Sequence, residues 1–284
     1  MIDTTFLSQL NRFSLIVRKR ITSSFAGSQK STSYGTGTVF KDLREYVSGD
    51  DIRLIDWNVY ARTDKLHVKR YEEDKNLHVH IIVDFSKSMN FGTKVSKFHY
   101  ASMLGIGFAY LAMRNNQQFE FSTFSDDLNY FRPRKGMNQL ASMVDYLNDL
   151  KTTGKSNFDE VMAKYRKAIS SKSLVVVISD FLFDFDEIRN GLCRVEGNDV
   201  KVIMVLDRSE KELTLGGDTK LHDSESDSII HTFISNRLKT KYQQELDRHT
   251  AKIQHACDEM SAMFYVATTD TPVFNIFYEI LSQR

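Results

Sequence analysis

The stretch from Leu77 to Gly92, LHVHIIVDFSKSMNFG, contains the pattern that decides the fold. Its first part, His78 to Val83, is a short apolar run rich in β-branched residues, which is typical of a buried strand. The run ends at Asp84, and the hydroxyls of Ser86 and Ser88 follow at two-residue steps. These polar side chains are therefore predicted in the turn after the strand, where open α/β sheets bind their ligands.

Two interpretations of this turn are open. Carboxylate and hydroxyl oxygens suit a hard divalent cation, Mg²⁺ or Mn²⁺, better than zinc, which prefers His and Cys. Alternatively, Asp84 and the two serines only cap the helix that follows. The spacing is specific but short, so the remainder of the chain has to decide between a metal site and a helix cap.

Length and composition describe a globular protein with a substantial core. The chain has 284 residues, is 41% apolar and carries a formal net charge of +1. This charge argues against binding to nucleic acid, and no apolar run approaches the roughly 18 to 20 residues of a membrane span. Cys193 and Cys257 are far apart and lack CxxC spacing, so we expect a cytoplasmic protein without a disulfide framework or zinc cluster.

The first 76 residues are predicted to be an extension to the main domain. Phe6, Leu10, Phe13 and Val17 recur at helical spacing, which predicts a short amphipathic helix. The Ser-, Thr- and Gly-rich segment 23–37 predicts a flexible loop. The main domain is then expected over residues 77–284, with an insertion at about 207–235.

Segment 39–74 interleaves acids, arginines and aromatics, and Leu66 to Tyr71 alternates as a strand does. A catalytic or phosphate-binding cluster is one interpretation of its polar residues, which are Arg44, Asp50, Asp51, Arg53, Asp56, Trp57 and Arg62. Because no nucleophile or base is evident nearby, we favour the interpretation that they pair with one another and fix the segment against the main domain.

Two further stretches place oxygen ligands at the same edge of the sheet. Leu174 to Ser179, LVVVIS, is a clear parallel strand, and it ends at Asp180. The loop from Thr153 to Phe158, TGKSNF, opens a helix, but it lacks the first glycine and the preceding strand of a phosphate-binding loop. We therefore reject a nucleotide site and consider Ser156 of this loop as a metal ligand.

The order of predicted helices and strands indicates an α/β protein with a doubly wound, mainly parallel sheet, an antiparallel edge strand and an N-terminal extension. In such a sheet three separate loops meet at one edge. They bring together five candidate metal ligands: Asp84, Ser86, Ser88, Ser156 and Asp180. This convergence favours the metal site over the helix cap.

The five residues resemble the metal-ion-dependent adhesion site of von Willebrand factor A domains, which combines Asp-x-Ser-x-Ser, a hydroxyl in a Gly-rich loop and an Asp ending a later strand. The resemblance runs from about Leu77 to the C-terminus and implies that Rossmann-type fold. The second loop of the family usually carries Thr. Here the matching residue is Ser156, with Thr153 as a rival.

A second resemblance covers roughly Gly35 to Met89 and is more specific. The segment is similar to the signature of the family catalogued as domain of unknown function 58. The matching residues are Phe40-Lys41-Asp42-Leu43-Arg44-Glu45-Tyr46, Gly49-Asp50-Asp51-Ile52-Arg53, Ile55-Asp56-Trp57, Ala61-Arg62 and Leu66-His67-Val68-Lys69. This resemblance implies a working association with MoxR-type AAA+ ATPases in the assembly or remodelling of protein complexes.

Three functions are compatible with these residues. The first is a non-enzymatic binding module, in which Mg²⁺ or Mn²⁺ held by the five oxygen ligands recruits a Glu or Asp of a protein partner. The second is a Mg²⁺-dependent phosphoester hydrolase with Asp84 as nucleophile, although no Lys or His is evident to assist it. The third is a scaffold whose metal site is vestigial. We favour the binding module.

Overall fold

The computed structural model of the protein describes residues 5–6, 8–12, 39–72, 77–92, 94–131, 138–213, 217–222 and 229–282. Two compact units are present, Arg18–Asn76 and a larger unit formed by Met1–Val17 with Leu77–Arg284. Residues 5–6 and 8–12 are helical and form α1, in which Phe6 and Leu10 are buried as the amphipathic pattern predicts. Phe13, Val17 and the predicted loop 23–37 lie outside the described residues.

The smaller unit is built on an antiparallel pair of strands, β1 (Val39–Glu45) and β2 (His67–Glu72). A 3-10 turn (Ile52–Leu54) and helix α2 (Trp57–Thr63) lie between them, and the Asp56 carboxylate caps α2. The register of the strand pair shifts between Phe40 and Asp42. This bulge breaks the two-residue alternation, which is why the sequence did not predict β1.

Acidic and basic side chains of the smaller unit pair with each other. The pairs are Arg44 Nη2 with Asp50 Oδ1 at 2.5 Å, Arg53 Nη2 with Asp51 Oδ2 at 2.9 Å, and Lys69 Nζ with Asp56 Oδ2 at 3.3 Å. Mutual pairing within this segment is therefore confirmed for these residues. The carboxylates of Asp50, Asp51 and Asp56 are thus paired within the smaller unit.

The larger unit contains the remaining strands of the described chain. They are β3 (His78–Asp84), β4 (Gln118–Phe124), β5 (Leu128–Phe131), β6 (Leu174–Ser179), β7 (Asp199–Leu206), β8 (Gly217–His222), β9 (Ile229–Ile234) and β10 (Met263–Thr268). Six of them form one sheet in the order β10-β7-β6-β3-β4-β5, and β8 and β9 form a separate hairpin. Only β5 of the six runs antiparallel to its neighbour. The predicted mainly parallel sheet with an antiparallel edge strand is confirmed.

Helices cover both faces of this sheet. They are α3 (Lys97–Arg114), α4 (Asn138–Asp149), α5 (Phe158–Tyr165), α6 (Phe185–Cys193), α7 (Arg208–Glu212), α8 (Asn236–Glu259) and α9 (Val273–Ser282). A methyl group on Gly105 of α3 would lie 2.7 Å from the Phe121 ring and 3.2 Å from Val83, so α3 approaches β3 and β4 closely. The opposite face, which carries Ile82 and Phe124, packs with α5, α6 and α8.

Two helix starts differ from the sequence prediction. From the sequence, Asn236 is expected to cap the long helix that follows the insertion; the structure shows that the Ser235 side chain caps this helix, α8, by accepting a hydrogen bond from Leu238 N, so that expectation is wrong. The short helix α7 was not predicted; Asp207 and Glu210 form a capping box at its start. Of the helices described, none has both the length and the apolar character needed to cross a membrane.

The strand order reverses direction between β3 and β6. From β3 the chain proceeds to β4 and β5 on one side, and from β6 to β7 and β10 on the other. In open α/β sheets, such a reversal leaves a crevice at the carboxyl ends of the two central strands. Asp84 and Asp180 stand at those two strand ends.

Candidate metal centre

The candidate site begins with two aspartates on neighbouring strands. Asp84 is the last residue of β3, and Asp180 follows the last residue of β6. The two strands are parallel, with Val83 opposite Ile178. Both carboxylates are buried at the same edge of the sheet, as the sequence predicts.

The Asp84 carboxylate accepts hydrogen bonds from three serines. Its Oδ1 accepts from the backbone N–H of Ser86 at 2.8 Å. Its Oδ2 accepts from the hydroxyls of Ser156 at 2.8 Å and of Ser179 at 2.6 Å. Asp84 is therefore held by three different segments of the chain, two of which are distant from it in sequence.

The hydroxyls of the Asp-x-Ser-x-Ser turn lie beside this carboxylate. Ser86 Oγ and Ser88 Oγ are 3.1 Å apart, and Ser88 is half-buried. The helix-cap interpretation is not supported for Asp84, because its carboxylate bonds the turn and two distant serines. Ser96 caps α3 instead, accepting a hydrogen bond from His99 N.

The loop before α5 meets the Asp84 turn through backbone hydrogen bonds. Thr153 N donates to Phe85 O at 3.1 Å, and Lys87 N donates to Gly154 O at 3.2 Å. Gly154 has φ of +74°, and a methyl group there would lie 2.1 Å from the Asp126 carboxylate. A glycine is thus required where the loop turns.

These contacts distinguish between the two hydroxyls proposed for this loop. Ser156 brings its hydroxyl to Asp84, whereas Thr153 is exposed and contributes a backbone N–H. We therefore take Ser156 as the candidate ligand of this loop.

Asp180 contacts a buried lysine. Lys97 Nζ lies 2.9 Å from Asp180 Oδ2 and 2.7 Å from Glu210 Oε1. The side chains of Lys97 and Asp180 are each 1% exposed. The first turn of α3 thereby connects the end of β6 to the start of α7.

Burial and mutual repulsion raise the pKa of Asp84, because the charge of Asp180 is close and water is excluded. Burial also raises the pKa of Glu210, an effect that Lys97 only partly offsets. For Lys97, burial alone would lower the pKa, but Asp180 and Glu210 outweigh it and the pKa is raised. Lys97 is therefore protonated, and its ammonium contacts two carboxylates, those of Asp180 and Glu210.

The donor set fits a hard divalent cation. In the part of the chain that the structure describes, no three His, Cys, Asp or Glu side chains come together as metal ligands. The candidate ligands are instead two carboxylates and three serine hydroxyls, and all five donate through oxygen, as Mg²⁺ and Mn²⁺ prefer. A divalent cation would also balance the excess of negative charge around Lys97.

Sequence reasoning missed three polar members of this cluster: Lys97, Ser179 and Glu210. Lys97 contacts Asp180 directly, and no hydrogen bond joins it to Asp84 among the described residues. The available signal was a lysine on the apolar face of α3. Ser179 gave no signal because a serine ending an apolar strand is common, and Glu210 is placed by a helix that the sequence did not predict.

Comparisons with known proteins identify a family but no activity. A family model described as "Protein of unknown function DUF58" matches residues 42–252. Uncharacterized proteins of Mycobacterium tuberculosis and Mycobacterium bovis are 24% identical to this chain over 273 residues, which are 94% of this chain and 86% of theirs. The match thus extends over both units.

Two solved structures resemble the fold at 14% sequence identity. The conserved hypothetical protein BatB from Bacteroides thetaiotaomicron has a TM-score of 0.46 over 72% of this chain and 97% of its own. A serine-substituted variant of an aerotolerance-related membrane protein from Bacteroides fragilis has a TM-score of 0.43 over 73% of this chain and 97% of its own.

Proposed function

The chain belongs to the DUF58 family of proteins of unknown function, and we propose that it is a non-enzymatic adaptor that binds partners through a divalent cation. Asp84, Ser86, Ser88, Ser156 and Asp180 would hold Mg²⁺ or Mn²⁺. When bound, the cation supplies positive charge and a coordination position for a Glu or Asp of the partner.

The observation that carries this proposal is the hydrogen bonding of Asp84. Its carboxylate gathers hydroxyls from residues 72 and 95 positions away in the chain. Burying several polar groups at one point lowers the stability of a protein, and clusters of this kind are concentrated at functional sites. Serine hydroxyls are neutral, so they leave most of a cation's charge available for a partner's carboxylate.

The fold that we propose for the larger unit is von Willebrand factor A-like. The reversal of strand order between β3 and β6 and the antiparallel edge strand β5 support this assignment. So does the position of the ligand set at the carboxyl ends of β3 and β6, which is where that family carries its adhesion site.

A binding role is favoured over hydrolysis by the state of Lys97. A hydrolase needs a group that transfers protons next to its nucleophile. The Lys97 ammonium is held by Asp180 and Glu210, which keep it protonated, so it is unsuited to act as a base. Its positive charge balances part of the negative charge of Asp180 and Glu210.

The partner that we propose is a protein with an exposed Glu or Asp, and a MoxR-type AAA+ ATPase is the class that the family resemblance implies. In this arrangement the adaptor would connect the ATPase to a protein complex that is assembled or remodelled.

The test combines cation binding with partner capture. Tagged wild type, Asp84→Asn and a control variant, Asp186→Asn, are compared in excess EDTA and in MgCl₂ at about 100 times the Kd of the cation, a concentration that nearly saturates a single site. Asp186 is an exposed acid in the first turn of α6. We expect Mg²⁺ to stabilise wild type and Asp186→Asn, and to be required for their capture of the partner.

Asp84→Asn should fold, gain no stability from Mg²⁺ and capture nothing in a Mg²⁺-dependent way. Capture that persists in EDTA, or that Asp84→Asn retains in full, contradicts the proposed function. Hydrolysis of a phosphoester by wild type but not by Asp84→Asn would instead support an enzyme.

A further inference from the structure

A groove of about 570 Å³ opens between the first turns of α3 and the end of α4. The residues that line it lie between Asn90 and Ser102 and between Leu147 and Thr152, all within the larger unit. Its size is within the range of cavities that hold small ligands or a few residues of a peptide. None of the described residues that line it is an aspartate or glutamate.

The groove lies next to the two segments of the chain that carry the candidate ligands Ser88 and Ser156. Asn90, on its rim, ends the 3-10 turn that contains Ser88. Thr152, on the other side, leads into the loop that contains Ser156. Backbone hydrogen bonds join these two segments, so a peptide chain in the groove would lie beside the pair of loops that carries the candidate ligands.

The most deeply buried residue of the lining has an unsatisfied polar group. Ser102 is 1% exposed, and its hydroxyl has no hydrogen-bond partner in the described part of the protein. Leaving a buried hydroxyl unpaired costs about 1–3 kcal/mol. A ligand that offers a hydrogen-bonding group at this depth would relieve that cost.

The charged group of the groove is a cation. Lys151 is exposed and forms no ion pair with any described residue. His99 is half-buried, and burial lowers its pKa, so it is neutral at physiological pH. The described residues of the lining offer one ammonium, no carboxylate and several amide and hydroxyl groups, so the groove is complementary to an anionic, hydrogen-bonding segment.

We infer that this groove, the α3–α4 groove, binds an extended acidic segment of the partner protein next to the residue that ligates the cation. The direction in which the segment lies, with one end at the cation, rests on the proposed function. The groove adds a preference among partner segments that a bound cation alone would not give. A partner with several acidic residues in one segment is selected over a partner with an isolated Glu.

The experiment uses two labelled peptides as probes, (Glu-Gly)₅ and a (Gln-Gly)₅ peptide in which one Gln is replaced by Glu. Binding to the full chain is measured by fluorescence anisotropy with Mg²⁺. We expect wild type to prefer the probe with repeated glutamates. Lys151→Glu should weaken that probe about tenfold, since a favourable charge pair becomes a repulsive one.

The matched control is Lys172→Glu, an identical charge reversal at an exposed lysine that precedes β6 and therefore lies at the opposite edge of the sheet. It should leave binding unchanged. Lys151 follows the end of α4 and also compensates that helix dipole, so the thermal stability of each variant is measured alongside. Ser102→Ala should leave the thermal stability unchanged or raise it, and should weaken binding of the probe with repeated glutamates. Loss of a serine with a purely structural role would not weaken that binding.

The outcomes separate the groove from the cation. If Mg²⁺ stabilises the protein but the probe with repeated glutamates binds no better than the other, or binds equally to Lys151→Glu and Lys172→Glu, the groove inference is wrong and the metal site stands. If binding of the probe depends on Lys151 although Mg²⁺ has no effect on thermal stability, the groove inference is supported and the proposed cation site is wrong.

Discussion

Replacing Lys97 by methionine tests whether the buried groups around Lys97 carry more negative than positive charge. Methionine keeps much of the aliphatic length but removes the ammonium that lies 2.9 Å from Asp180 and 2.7 Å from Glu210. Both carboxylates then remain at the site without their nearest positive charge. The variant therefore leaves more negative charge in a region from which water is excluded.

The expected cost in the absence of divalent cations is large. Removing one partner of a buried ion pair destabilises a protein by about 3–5 kcal/mol, because the other charge is left uncompensated. For a unit of this size, each kcal/mol lowers the melting temperature by roughly 2–4 °C. We therefore expect Lys97→Met to melt about 6–20 °C below wild type at neutral pH.

Mg²⁺ should reverse part of that loss. A ligand that binds only the folded state stabilises it by an amount that grows with affinity, about 2.7 kcal/mol at 100 times its Kd. Without the competing ammonium, Asp180 is free to interact with the cation. The increase in melting temperature on adding Mg²⁺ should thus be greater for Lys97→Met than for wild type.

The assay is thermal unfolding in EDTA and in a Mg²⁺ titration, with Lys201→Met as the control. Lys201 is also a buried lysine, but its ammonium contacts Met263 Sδ at 3.0 Å rather than a carboxylate. Burial lowers the pKa of Lys201, so removing its charge should cost little and should leave the response to Mg²⁺ unchanged.

Two results would refute this reasoning. If Lys97→Met were as stable in EDTA as Lys201→Met, the lysine would not be neutralising the buried acids. If its stabilisation by Mg²⁺ were equal to or smaller than that of wild type, Lys97 would help to hold the cation site together rather than compete with it.

Three further predictions concern single contacts. In the folded protein without divalent cations, the pKa of Asp84 is raised from its ordinary 3.8 to about 6, so the folded state binds the proton more strongly than the unfolded state does. The free energy of unfolding should therefore fall by roughly 3 kcal/mol as the pH rises from about 4 to 6. Asp84→Asn should abolish this fall, as measured by denaturant unfolding in EDTA at each pH. Ser179→Ala removes the 2.6 Å hydrogen bond to Asp84 and should weaken Mg²⁺ binding severalfold, measured by calorimetry, and an unchanged affinity would show that the hydroxyl is irrelevant. Gly107→Ala should cost about 1–3 kcal/mol because the added methyl would lie 2.0 Å from the Phe277 ring, and Phe277→Leu in the same chain should recover part of the loss in melting temperature.

The fold of the larger unit could be predicted from the sequence because its strands carry strong local signals. The run LVVVIS is buried at every position of β6, and β3 is buried at all but its first residue, as expected for central parallel strands. The smaller unit was harder to predict. Its strand β1 has a bulge, and α2 depends on the Asp56 cap within a segment dominated by charged residues.

The site could be predicted in part for the same physical reason. Asp84 and Asp180 end strands of known direction, and topology alone brings such ends together. The ammonium of Lys97 could not be located in this way, because its position depends on how α3 rotates and packs on the sheet. Glu210 depends on a five-residue helix, α7, whose apolar pattern is too short to detect.

The wide sequence separation of the groups around Asp84 has a kinetic consequence. Its serine partners are 72 and 95 residues distant, so the chelating pocket exists only after β3, β6 and the loop before α5 have assembled. A cation that recognises this late-formed pocket would slow unfolding and leave the refolding rate almost unchanged. Removing the cation with EDTA would then shorten the lifetime of the native protein without slowing its folding.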